Sequence, residues 1–136
     1  MTYIVPILPS AGEQYALRKA ISHVIHSGSD LLVIAAFSQD DDPAKIDDAL
    51  DGISAELDSL ELAYRVVAAL PREDLVERIR GEVRDPDQDV VVVDVPVQKP
   101  DARYHLGEYI RRIIAEVPAH VWVVRGNAAS QTRLGE

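Results

Sequence analysis

With 136 residues, 47% of them hydrophobic and 27% charged, the chain has the size and composition of one globular domain around a single core, too short for two and too apolar for a disordered segment. It contains no Cys, which excludes disulfides and thiolate metal sites. Its formal net charge of -9 opposes any sequence-independent binding to nucleic acid backbones.

Lysine occurs only at Lys19, Lys45 and Lys99. The excess of carboxylates suits either an ordinary acidic protein or a surface adapted to concentrated salt, where self-repulsion is screened. The opening MTYIVPILPS has no basic leader and no sustained apolar region, and no run reaches the length of a membrane span. The expectation is a cytoplasmic protein with no membrane partner.

The residues 3–8, YIVPIL, predict a short buried strand, made irregular by Pro6. Ser10 and Glu13 have the spacing of a capping box. Ala16, Leu17, Ala20, Ile21, Val24 and Ile25 then recur as one helical face, and Gly28 marks the stop. The unbroken apolar run 31–37, LLVIAAF, predicts a strand covered on both faces, hence one with parallel neighbours. Asp40, Asp41 and Asp42 before Pro43 suit a helix cap more than a cation site. Ile46, Ala49, Leu50, Ile53 and Leu57 form the stripe that follows. Residues 64–70 predict a third strand nearer an edge. Pro71 is the expected start of a helix with Leu75, Val76, Ile79 and Val83 on its face, and the turn-rich 85–89 ends it. Val90 to Val93 predict the fourth strand, with Asp94 at its carboxyl end. Leu106, Tyr109, Ile110, Ile113, Ile114 and Val117 give the strongest amphipathic stripe, ended by Pro118. Residues 120–125 predict the fifth strand, so one domain covers 1–126 and a polar tail 127–136.

Strands alternating with helices imply an α/β fold: a doubly wound parallel sheet with helices on both faces. Ligands in such sheets bind beyond the carboxyl ends of the strands, where the strand order reverses. A crevice there would be lined by Leu8, Pro9, Ser10, residues 94–97 and the helix start near Gly107.

The segment Val5-Pro6-Ile7-Leu8-Pro9-Ser10 stands where the universal stress protein family commonly has V-P-x-D-G-S. The close, from Leu106-Gly107-Glu108 through Val117-Pro118-Ala119-His120-Val121-Trp122-Val123-Val124-Arg125, looks like the family's L-G-S and P-V-L-V-V-R elements. The chain thus resembles that family over nearly its whole length. The resemblance implies a five-stranded Rossmann-like sheet of the adenine nucleotide alpha hydrolase type, in the order 3-2-1-4-5, and a dimer.

ATP-binding members carry G-x2-G-x9-G-[ST] after the fourth strand, where glycines admit phosphates to backbone amides and a helix dipole. Aligned on Gly107, that motif places Asp94 and Val97 at the first two glycines and Glu108 at the hydroxyl, while Leu8 replaces the nucleoside-contacting Asp. At about 4 Å and an effective dielectric near 20, a carboxylate repels a phosphate charge by roughly 4 kcal/mol. A helix terminus returns only about 0.3 to 1 kcal/mol. The expectation is therefore no cofactor and no family-type ATP binding. The alternative is a nucleotide site in which Mg bridges Asp94 and Glu108, with slow hydrolysis.

Other chemistry is weaker. His23 and His26, three apart on the first helix, read as a surface pair near its end rather than a metal site. His105 lies near the crevice with no nucleophile beside it, so no catalytic residue is expected. A phosphorelay receiver is excluded, because Leu8-Pro9 and Leu70-Pro71 stand where its acidic residues belong.

Val121, Trp122, Val123 and Val124 are apolar on both faces of what should be an edge strand, which invites pairing with a second chain unless the tail from Gly126 covers it. The resemblance implies an isologous homodimer there, broken by Trp122→Lys. The functional expectation is a universal-stress-like regulatory or binding protein acting through protein contacts, not an enzyme.

Overall fold

The structure, a computed structural model, describes residues 1–7, 14–37, 42–70, 73–95 and 110–125. Five parallel strands form one sheet: β1 (Thr2–Ile7), β2 (Asp30–Ala36), β3 (Tyr64–Ala69), β4 (Val90–Val95) and β5 (His120–Arg125), in the order β3-β2-β1-β4-β5. Helices α1 (Tyr15–Ser27), α2 (Pro43–Asp58) and α3 (Leu75–Glu82) connect them, and residues 110–116 are helical before β5 (α4).

Side chains alternate across each strand, so the sheet divides its apolar residues between two layers. Tyr3, Val5, Ile7, Leu31, Val33, Ala35, Val90 and Val92 pack with Ala16, Leu17, Ala20 and Val24 of α1 and Leu57 of α2. Ile4, Leu32, Ile34, Val91 and Val93 pack on the opposite face with Val76 and Ile79 of α3 and with Ile110, Ile113 and Val117. Helices change face where the strand order turns back at β1, as crossovers of one hand require. This is the α/β doubly wound fold that the alternation predicts, with β3 and β5 at the edges. Among the described residues no helix is long and apolar enough to cross a membrane.

The local signals are realised unevenly. Gly28 takes the left-handed conformation at φ 70° and its amide bonds the Val24 carbonyl at 2.8 Å, as a helix stop requires. Asp42 caps α2 by accepting from the Ala44 amide at 3.0 Å, with Pro43 in the first turn; Asp40 and Asp41 lie outside the described residues. In contrast, α1 begins at Tyr15 with Gln14 as its N-cap, so the spacing of Ser10 and Glu13 does not mark the start of this helix. Pro71 does not open α3. Its cap is Asp74, whose Oδ1 accepts from the Val76 amide at 3.0 Å and the Glu77 amide at 3.5 Å.

Two residues assigned to buried helical stripes face outward. Ile25 is 54% and Ile114 59% exposed. Each follows a buried residue, Val24 or Ile113, and one helical step turns a side chain about 100° away. The buried line of α4 is Ile110, Ile113 and Val117.

Asp74 also joins α3 to α4. The Arg112 guanidinium donates to both its oxygens, at 2.9 and 3.4 Å, and to Glu116 at 3.0 Å. The Arg112 hydrogen bonds, aided by the two amides, outweigh desolvation and hold the Asp74 carboxyl below the usual carboxylate range. Asp74→Ala should lower the melting midpoint by roughly 5 °C through loss of the cap. Arg112→Gln, which keeps the cap, should cost less. Thermal scans of the two variants check that order.

Candidate ligand crevice at the strand reversal

The strand order reverses between β1 and β4. β1 pairs with β2 at all six positions from Thr2↔Asp30 to Ile7↔Ala35, but with β4 only at Tyr3↔Val90 and Ile4↔Val91. Pro6, which has no amide hydrogen, sits just beyond the last of these pairs, so the ladder toward β4 cannot continue through it. The irregularity expected from Pro6 is thus confined to one side of the strand. That side faces β4, at the reversal of strand order where α/β sheets take their ligands.

Asp94 lies near the carboxyl end of β4. β4 runs two residues further than the apolar run 90–93 suggests, and Asp94 remains in register with Val124 of β5. Its parity with Val90 and Val92 turns it toward the α1 layer. There its Oδ1 accepts from the Ala16 amide at 2.7 Å, in the first turn of a helix whose own N-cap side chain makes no capping bond. A free helix amide is thus satisfied by a carboxylate from a strand 78 positions away in sequence. Burial raises the Asp94 pKa, and the Ala16 amide only partly offsets this.

The sign of that shift sets an expectation. A carboxyl with a raised folded pKa favours folding most when protonated, so ionised Asp94 weighs against stability at neutral pH. Asp94→Asn keeps an acceptor for Ala16 and removes the charge, so it should be neutral or slightly stabilising at pH 7. Asp94→Ala should cost about 1 kcal/mol through the lost cap. Urea midpoints at pH 7 separate the two.

Of the other positions assigned to the crevice, Leu8, Pro9, Ser10, Val97, Gly107 and Glu108 lie outside the described residues, as does His105. Asp94 alone carries the site in the described structure.

The remaining candidates are placed as follows. His26 Nδ1 contacts the Ser22 carbonyl at 2.7 Å, one turn back on α1. His23 is not a simple surface residue. Its ring stacks on Tyr3 with centroids 5.9 Å apart and meets Trp122 edge-on at 4.7 Å, and Tyr3 and Trp122 are themselves 5.5 Å apart. The reason is topological: α1 crosses over β1, and β5 returns on the same side, so three rings distant in sequence converge. No group of three His, Asp or Glu residues fit to hold a metal occurs among the described residues.

On the edge strand, Trp122 and Val124 pack partly against the α1 layer and Val121 against the α4 layer. Val123 shares the parity of Val121 and is 47% exposed.

The one buried carboxylate among the described residues was not legible as a site. Asp89, 2% exposed, lies at the opposite end of the strands and accepts from the amides of Thr2 at 2.9 Å and of Arg84 and Asp85 at 3.0 Å each. Its own carbonyl accepts from the His120 amide at 3.1 Å. The one available signal was its place directly before the apolar run 90–93. This is a structural joint between β1, β4 and β5 rather than a binding site. No family model matches the chain, and no curated protein matches it.

Proposed function

We propose that this chain is a universal-stress-like regulatory or binding domain that acts through protein contacts as a homodimer, in the cytoplasm, and does not bind ATP in the manner of that family. The observation that carries the reading is the 2.7 Å bond from the Ala16 amide to Asp94. A helix start beside the switch point is where an anionic ligand would be drawn; here the protein's own carboxylate is the anion engaged there. A phosphate entering the crevice would meet that negative charge and compete with it for the amide. The sheet order 3-2-1-4-5 is the one the sequence resemblance implies, which supports the family part of the reading without deciding it.

The test is calorimetric titration of ATP with magnesium into the purified protein in molar potassium chloride, where an acidic chain stays screened. No saturable heat from a folded sample is the expected result. Micromolar binding would overturn the reading in favour of a metal-assisted nucleotide site at Asp94 and Glu108.

A further inference from the structure

The uncovered part of the α3 face lies at the amino ends of the strands. α3 has eight residues and β2 has seven, so the helix is about 12 Å long while the strand spans roughly 23 Å. Running back from the carboxyl end of β3, α3 stops short and leaves a groove of about 390 Å³. That volume lies within the range of small-ligand sites, about 300 to 1,000 Å³.

Alternation along the strands decides what enters the groove. Thr2, Asp30, Leu32 and Arg65 share the parity of Ile4, Ile34 and Val67, which face α3, and the end of α3 adds Glu82 and Arg84. Leu32, 1% exposed, also lines it. Arg65 and Glu82 pair across the groove at 3.6 Å. Asp30 and Arg84 also line it, but neither forms an ion pair with a described residue, with each other or elsewhere. One anion and one cation thus line the groove without pairing with each other.

We infer that this groove binds a small zwitterion, its carboxylate on the Arg84 guanidinium and its ammonium on Asp30. A planar guanidinium takes a carboxylate through paired hydrogen bonds, and a ligand bearing both charges completes both protein groups at once. An ion of one sign completes only one. The site is at the opposite end of the strands from the crevice and stands independently of the proposed function.

The experiment is titration of the isotopically labelled full chain with glycine, β-alanine and 4-aminobutyrate, which differ in charge separation, and with acetate and methylammonium as single-charge controls. At least one zwitterion should produce saturable shifts at the Thr2, Ala63, Arg65 and Arg84 amides. The controls should bind about tenfold more weakly, and Arg84→Gln and Asp30→Asn should each weaken the zwitterion by about tenfold while leaving the rest of the spectrum native. Equal binding of acetate, unchanged affinity in both variants, or no saturable shift from any zwitterion up to roughly 50 mM would overturn the assignment. Because the controls are run on the native chain, a variant that failed to fold would not shield it.

Discussion

Asp89→Ala should destabilise the domain by about 3 to 5 kcal/mol, the largest effect of any single polar substitution here, because three backbone amides lose their acceptor where water has little access. The amides belong to Thr2, Arg84 and Asp85, so the loss loosens the start of β1 and the turn from α3 into β4 together. Set against a typical total of about 5 to 15 kcal/mol, that is a large fraction. Asp89→Asn should fall between native and Ala. Its remaining oxygen can serve Arg84 and Asp85, but its amide group then faces the Thr2 amide, donor against donor. Urea unfolding measures both, as a lower midpoint with an unchanged slope. An Ala variant within 1 kcal/mol of native, a bound set by ordinary surface substitutions of about 0.5 kcal/mol, would show that the joint is not what holds these strands.

The same carboxylate gives a pH dependence of definite sign. Desolvation pushes its pKa up, but the three backbone amides, with the chain's amino terminus, outweigh it and the net shift is downward. Unfolded, the group titrates near about 3.9. Its contribution is therefore complete above that value and is lost as pH falls through the lower folded pKa. Stability curves of native and Asp89→Ala protein should converge as pH falls through that window, and a constant gap between them would contradict the assignment.

What the sequence made legible follows physical range. The unbroken apolar run 31–37 read as a doubly covered strand because burial on both faces demands nothing beyond local composition; its residues 31–35 are buried, and 36 and 37 are only partly so. Gly28 and the Asp42-Pro43 pair read as helix ends because a cap is satisfied within a few residues. The bond of Asp94 to Ala16 and that of Asp89 to Thr2 were not legible, because those amides lie 78 and 87 positions away, and no local pattern encodes a partner brought near by topology. Ile25 and Ile114 erred in a different way. Both are apolar and lie close to a buried stripe, yet an apolar side chain need not be inside, and the helix turn places each on the far side of its buried neighbour. The candidate crevice was legible in position from the strand order, while its one described side chain acquired its role only through Ala16.

The proposed dimer turns on the same distinction between strand faces. Trp122 reads as an exposed apolar anchor on an edge strand, but it touches the rings of Tyr3 and His23 within its own chain, so Trp122→Lys would disturb the monomer whether or not a dimer exists. Trp122→Ala should cost about 2 to 4 kcal/mol of stability, and any fall in mass that followed would be ambiguous. Val123 separates the two effects. It is 47% exposed, and β5 has no strand on its outer side among the described residues, so a second copy can meet that side by extending the sheet. Val123→Lys places a charge on that edge without removing a core contact. If two copies pair through β5, light scattering should show the native mass halved in Val123→Lys at micromolar concentration, with a melting midpoint lowered by no more than the lost association accounts for. An unchanged dimeric mass would place the interface elsewhere, and a native protein already monomeric would remove the dimer from the proposed function. The two substitutions thus report separately on the two faces of one strand, the packed one of Trp122 and the exposed position of Val123.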